Sequence, residues 1–178
     1  MQLGRAVVRF LAGCGLLLAG AAAALPTDMS LMGNLPRAPK LQLTELDGTT
    51  HALSRMRGKV VLVNFWATWC PPCREEMPSM QRLYEALRNR DFEILAVNVG
   101  ERESEVFSYL HGELETEITF PVLLDPEAKA MERFPVKGLP TTFLVDRKGR
   151  LAYKAVGGRA MDKPAFKQRI LDLLEEGS

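Results

Sequence analysis

The sequence predicts an α/β domain in which a mixed β-sheet is covered by helices on both faces. Short apolar runs rich in β-branched residues alternate with amphipathic helical patterns, and a hairpin pattern followed by one last helical pattern ends the chain. The length of 178 residues suits one such domain with one core.

A short hairpin precedes the main alternation of strands and helices. Residues 41–46 carry three leucines and lead into the turn signal Asp47-Gly48, and 49–53 form the second strand. The run over 60–65 is continuous and apolar, which is typical of a central strand buried on both faces. The further predicted elements are a helix from Cys73 to Arg88, strand 92–97, helix 103–111, strand 121–124, helix 127–134, strands 141–145 and 151–156, and helix 163–174.

The first 24 residues have the pattern of an export signal. Two arginines precede an uncharged apolar run over 10–24, and the alanines at its end form an A-x-A cleavage site. We predict cleavage after Ala24, a linker over 25–36 and the α/β domain over 37–178. A periplasmic location follows from this pattern.

Two alternatives for the N-terminal segment stay open. The apolar run could remain as an inner-membrane anchor, although about 15 residues are fewer than the roughly 20 of a spanning helix. The segment from Leu11 to Cys14 also resembles a lipobox, which would make Cys14 a lipidated N-terminus. Against lipidation, the apolar stretch between Arg9 and Cys14 is very short.

Charge and composition indicate no nucleic-acid partner. The 23 basic and 22 acidic residues are interspersed, so the chain has neither a polybasic stretch nor an acidic block. Three cysteines are too few for a disulfide-stapled small protein.

Cys70 and Cys73 form a C-x-x-C motif that follows the predicted central strand and opens a helix. The first N–H groups of a helix lack intrahelical partners and the dipole is positive there, so a Cys70 thiolate is stabilised. Cys73 lies one turn further on, where its thiol can attack a mixed disulfide formed on Cys70. We therefore predict that Cys70 is the nucleophile and Cys73 the resolving thiol.

Pro71 and Pro72, between the cysteines, have no N–H, so two donors to the Cys70 sulfur are absent. A less stabilised thiolate generally belongs to a more reducing dithiol. The motif thus favours a disulfide reductase over a strong oxidant.

Other interpretations of the cysteine pair are less favoured by the sequence. A structural disulfide is not required by a domain of this size, which folds on its core. A zinc site needs about four ligands, and only His51, His111 and remote acids accompany the cysteines. We expect both histidines to be surface or structural residues, and we predict no metal.

Three segments together resemble the TlpA/ResA group of exported thioredoxin-like proteins. Residues 64–78 read NFWATWCPPCREEMP, residues 96–101 read AVNVGE, and residues 138–146 read GLPTTFLVD. The resemblance extends over roughly 37–176. It implies a thioredoxin fold, here with the predicted β-hairpin as an N-terminal extension, together with thiol–disulfide exchange and no dissociable cofactor.

The resemblance also implies roles for individual residues. Pro140 corresponds to the family's cis-proline, which faces the dithiol, and Leu139 before it offers its backbone to the substrate. Glu76 corresponds to a family acid that influences the acid–base behaviour of the thiols. Trp69 is expected at the rim of the site, where it packs or contacts the substrate.

The candidate proton acceptor lies on the helix, not on the strand. Cytoplasmic thioredoxins carry a buried Asp where this chain has Asn64, and an amide accepts no proton at neutral pH. Glu76, one helical turn beyond Cys73, is the alternative base. It could also act only as a first-turn acid that complements the helix dipole, as we expect of Glu75.

By resemblance, the expected activity is reduction of disulfides in exported proteins, such as the haem-binding cysteine pair of apocytochromes c. The electrons would come from a membrane thiol-transfer protein, and the chain is expected to act as a monomer. The alternatives are general disulfide or sulfenic-acid reduction and a metallochaperone that serves copper-site assembly. A peroxiredoxin is excluded because no P-x-x-x-T-x-x-C segment is present.

Overall fold

The computed structural model describes residues 29–176 and shows one eight-stranded mixed sheet with helices on both faces. The predicted export signal over 1–24 and its alternatives, anchor or lipidation, lie outside these residues. In the described part of the chain, no helix is both long and apolar enough to cross a membrane.

The elements follow the predicted order. The strands are β1 (Ser30–Leu31), β2 (Gln42–Glu45), β3 (Thr50–Ala52), β4 (Val60–Trp66), β5 (Phe92–Val99), β6 (Val122–Asp125), β7 (Thr141–Val145) and β8 (Leu151–Val156). The α-helices are α1 (Pro71–Leu87), α2 (Glu103–Ser108), α3 (Lys129–Arg133) and α4 (Pro164–Glu175), with a short 3-10 helix at Leu53–Arg55 and a π-helical turn at Tyr109–Glu113.

The sheet order is β1-β8-β7-β4-β5-β6-β2-β3. β4, β5 and β6 are parallel, and β4 pairs with β7 in antiparallel orientation on its other side. Every residue of β4 is buried, as the continuous apolar run predicts. This central strand ends at Trp66, which places the following cysteine pair at the carboxyl edge of the parallel strands.

The two faces of the sheet form two apolar layers. On one face, Trp66 and Leu62 of β4 pack with the apolar sides of α1 and α4. On the other face, Val63 and Phe65 pack with residues around α3. Successive side chains of β4 point to opposite faces of the sheet, so the strand contributes apolar residues to both layers.

The structure adds one strand to the segment predicted as a linker. β1 pairs with the edge strand β8, through Ser30 with Lys154 and Leu31 with Tyr153, and Met29 beside it is buried. No apolar period marks this two-residue strand in the sequence. The strand forms because its backbone pairs with the otherwise open edge of β8.

The predicted helix over 103–111 also differs in detail. It ends as an α-helix at Ser108 and continues as the π-helical turn. The Tyr109 ring lies 5.7 Å from the Trp66 ring, which fixes this turn against the strand that leads to the cysteines.

Candidate active site

Cys70 and Cys73 are joined by a disulfide at the start of α1. Cys70 is the N-cap residue of the helix and is 5% exposed, whereas Cys73 lies inside the first turn and is fully buried. The predicted context of strand, motif and helix is confirmed. Of the two cysteines only Cys70 is partly exposed, so its placement fits the attacking thiol and that of Cys73 fits the resolving thiol.

Pro71 and Pro72 occupy the first two positions of α1. The next two backbone N–H groups, of Cys73 and Arg74, both donate to the Cys70 carbonyl oxygen, at 3.0 and 3.1 Å. The helix start therefore presents few backbone donors to the Cys70 sulfur. This is the arrangement from which the two prolines predict a weakly stabilised Cys70 thiolate.

Glu76 is a buried carboxylate one helical turn beyond Cys73, with 1% of its surface exposed. Burial raises its pKa from 4.5 to about 7, because the charged form loses its hydration. Hydrogen bonds from Asn64 and from the Arg159 backbone N–H act in the opposite direction, since they favour the ionised form. The carboxyl group thus titrates near neutral pH, where it can both hold and release a proton.

Asn64 connects this carboxylate to the sheet. Its side-chain amide donates to Glu76 at 2.7 Å and to the Thr142 hydroxyl at 3.0 Å. The Arg159 N–H lies 3.4 Å from the other Glu76 oxygen. Asn64, which stands where cytoplasmic thioredoxins carry the buried Asp, therefore contacts Glu76, the residue predicted to act as base in its place.

The Leu139–Pro140 peptide bond is cis, as the family resemblance implies. Thr141 begins β7 and pairs with Phe65 of β4, so Pro140 lies beside the end of β4, where the chain leaves for the cysteines. Its carbonyl oxygen accepts a 2.9 Å hydrogen bond from the Gly157 N–H. The loop after β8 is thereby tied to the same edge of the sheet.

The two tryptophans have different environments. Trp66 is fully buried in the core, whereas Trp69, directly before Cys70, is 67% exposed. Leu139 is partly buried and Val156 at the end of β8 is exposed. We refer to Trp69, Leu139 and Val156 as the apolar rim of the site.

The residues without an expected chemical role either have other partners or are exposed. His51 forms a hydrogen bond with Glu45 in the hairpin, and the His111 ring packs on Phe107 at 4.4 Å. Glu75 is exposed on α1. Across residues 29–176, no three His, Cys, Asp or Glu side chains are grouped to hold a metal ion.

Two residues close to the site were missed by the sequence reasoning. The buried carboxylate of Glu101, which follows β5, accepts a hydrogen bond from the Thr68 N–H at 2.7 Å. Gly158 packs so closely on Pro72 that an added Cβ would lie 2.7 Å from the Pro72 carbonyl oxygen. Glu101 ends the segment 96–101 that resembles the TlpA/ResA group, but the sequence assigned it no role.

Comparisons with known proteins agree with this site. A model of the AhpC/TSA family matches residues 36–154. The thiol-disulfide oxidoreductase ResA of Geobacillus thermodenitrificans is 42% identical over 135 residues, which cover 75% of this chain and 74% of that protein. The ResA protein of Bacillus cereus is 35% identical over 126 residues, 71% of each chain.

Solved structures show the same architecture. A Chlorobium tepidum protein named as thiol:disulfide interchange protein DsbE superposes with a TM-score of 0.70 at 35% identity, covering 78% of this chain and 96% of its own. The exposed lipoprotein thioredoxin Etrx1 of Streptococcus pneumoniae gives 0.60 at 29% identity, covering 77% and 98%. The chain therefore belongs to the AhpC/TSA family. With its Cys70–Cys73 pair, it is a thioredoxin-fold thiol–disulfide oxidoreductase of the ResA/DsbE type.

Proposed function

We propose that this oxidoreductase works as a reductase of disulfides in exported proteins, with the haem-binding cysteine pair of apocytochrome c as its substrate. The observation that carries the direction of the reaction is the start of α1, where Pro71 and Pro72 leave the Cys70 sulfur with few N–H donors. A thiolate that is weakly stabilised makes the dithiol a better electron donor. Regeneration then requires electrons from a membrane thiol-transfer protein.

The reaction balances as two thiol–disulfide exchanges. The Cys70 thiolate attacks one sulfur of the substrate disulfide, forms a mixed disulfide and releases the other substrate sulfur as a thiolate. The Cys73 thiolate then attacks the Cys70 sulfur, so the second substrate thiol leaves and the Cys70–Cys73 disulfide forms. Two electrons have passed to the substrate.

Glu76 is proposed as the group that takes the proton of Cys73 during the second exchange. Both side chains are buried and lie one turn apart on the same side of α1. A buried thiol needs such an acceptor because water reaches it poorly. Burial also raises the pKa of the Glu76 carboxyl group to about 7, which makes its carboxylate a better proton acceptor for the thiol.

The test of this role compares Glu76→Gln with Glu75→Gln, since Glu75 is the exposed neighbour on the same helix. Rapid mixing with a disulfide reagent separates mixed-disulfide formation from product release. Glu76→Gln should slow release about a hundredfold, within the usual range for loss of a general base. Equal release rates in both variants would remove Glu76 from the mechanism.

The cellular side of the proposal is export by the N-terminal segment, with cleavage after Ala24. Lipidation at Cys14 is the alternative supported by the Streptococcus pneumoniae relative, which is named as a lipoprotein. Mass spectrometry of the mature chain from a cell-envelope fraction distinguishes them. A new N-terminus at Leu25 supports cleavage, a diacylated Cys14 supports lipidation, and an intact Met1 in the membrane fraction supports an anchor.

The substrate itself can be captured. A Cys73→Ser variant lacks the resolving thiol and should accumulate a mixed disulfide between Cys70 and its physiological partner. Cys70→Ser is the matched control, because it keeps only the buried thiol. An apocytochrome in the captured fraction supports the proposal, whereas a copper-centre protein would replace it with metal-site assembly, and an unselective set of proteins with general reduction.

A further inference from the structure

We propose that Glu101 is a positioning residue for the loop that carries Trp69 and Cys70. Its carboxylate accepts three hydrogen bonds, from the Thr68 N–H at 2.7 Å, from the Thr68 hydroxyl and from the side-chain amide of Asn98 at 2.6 Å. Only 7% of its surface is exposed. A buried carboxylate with this many donors is held rigidly, and it holds its donors in return.

The sheet explains how Glu101 reaches the loop. β4 and β5 are parallel neighbours in which Trp66 pairs with Asn98, so both chains leave the sheet at the same edge. Gly100 has a φ of +74°, a conformation that glycine adopts without strain, and it turns the chain so that Glu101 faces back toward Thr68. The carboxylate therefore bridges the ends of two adjacent strands.

The loop between β4 and α1 is short and has few other attachments. It begins at Ala67, whose carbonyl oxygen accepts a 3.2 Å hydrogen bond from the Cys70 N–H. Glu101 fixes both the backbone and the hydroxyl of Thr68 in its middle. These contacts together determine where the Cys70 sulfur lies relative to the start of α1, and small displacements of a reacting group reduce rates strongly.

Charge and position have opposite consequences, which makes the proposal testable. A negative carboxylate near Cys70 disfavours a thiolate, so removing its charge alone should make Cys70 more reactive. Loss of the hydrogen bonds loosens the loop and should make Cys70 less reactive. A Glu101→Gln variant keeps the size of the side chain but replaces one accepting oxygen by an amide group that donates.

The experiment measures the second-order rate constant of reduced protein with an aromatic disulfide reagent, across pH 5 to 9. We expect Glu101→Gln to react about tenfold more slowly at every pH. Thr68→Val, which replaces the hydroxyl by a methyl group, should also slow the reaction, whereas Thr68→Ser, which keeps the hydroxyl, should react at the unmodified rate. Glu103→Gln changes an exposed acid two residues away and is the matched control.

A double variant decides whether Glu101 acts through Thr68. If it does, Glu101→Gln and Thr68→Val combined should be no slower than the slower single variant, because both break the same contact. Additive losses, an unchanged or faster Glu101→Gln, or a loss confined to thermal stability would each overturn the proposal. Should Glu101→Gln fail to fold, the contrast between Thr68→Val and Thr68→Ser gives the same decision.

Discussion

The side-chain amide of Asn64 donates a 2.7 Å hydrogen bond to the buried carboxylate of Glu76. The bond joins the central strand to the active-site helix one turn beyond Cys73. Burial raises the Glu76 pKa to about 7, and the Asn64 bond limits that rise because it favours the ionised form. A carboxyl group balanced in this way has a measurable effect on stability as well as on exchange.

Stability should fall with rising pH because of Glu76. Its carboxyl group has a pKa of 4.5 in the unfolded chain and about 7 in the folded one, so between these values the folded state holds a proton that the unfolded state has lost. The cost grows as pH rises from about 4.5 to 7 and reaches about 3 kcal/mol above that, at 1.36 kcal/mol per pKa unit. Glu76→Gln should therefore be more stable than the unmodified chain at pH 8, by up to this amount, and the difference should vanish near pH 4.

Denaturant unfolding at pH 4, 6 and 8 measures this difference. Glu75→Gln again provides the reference, because every other titrating group is shared between the two variants. Parallel pH dependence of Glu76→Gln and Glu75→Gln would show that the Glu76 carboxyl group has an ordinary pKa in the folded protein.

The redox potential should respond to the prolines of the motif. Pro72→Ala adds an N–H at the second position of α1 and keeps a Cβ against Gly158. One added donor to the Cys70 thiolate should lower its pKa by about one unit, which corresponds to a potential about 30 mV more oxidising for this two-electron couple.

Equilibration with glutathione gives the potential, and alkylation rates against pH give the Cys70 pKa. Pro78→Ala is the control, since it adds an N–H inside the same helix but beyond the dithiol. If Pro72→Ala and Pro78→Ala leave the potential equally unchanged, the prolines do not set the direction of electron transfer.

A side chain at Gly158 should destabilise the protein. A Cβ at this position would lie 2.7 Å from the Pro72 carbonyl oxygen and 2.8 Å from the Pro72 Cβ, so the first turn of α1 or the loop after β8 must shift. Overpacking of this kind costs about 1–3 kcal/mol. Gly158→Ala should lose that stability and also react more slowly at Cys70, whereas Gly33→Ala, with no atom within 4 Å of its new Cβ, should do neither.

Chemical denaturation and alkylation kinetics on the same samples separate the two effects. A Gly158→Ala variant that matches Gly33→Ala in both measurements would mean that the loop after β8 does not press on the dithiol.

The sequence predicts correctly those elements that depend on local patterns of neighbouring residues. The apolar run of β4 and the placement of Cys70 at a helix start are properties of neighbouring residues, and the structure confirms both. β1 and the contact of Glu101 with Thr68 depend instead on which distant segments the sheet brings together. Nothing in a local pattern encodes a partner 33 residues away, so the register of β4 and β5 was needed to find it.

Trp69 should contribute to the binding of protein substrates more than to the chemistry of the dithiol. It is 67% exposed beside Cys70, and burial of a tryptophan by a partner is among the larger single contributions to protein–protein affinity. Trp69→Ala should therefore raise KM for a protein disulfide such as insulin about tenfold while the rate with a small disulfide reagent stays within about twofold. Phe107→Ala, a 54% exposed aromatic on α2, should change neither value. Equal losses with both substrates would instead place Trp69 among the residues that hold the Cys70 loop in position, and the apolar rim would lose its proposed role in recognition.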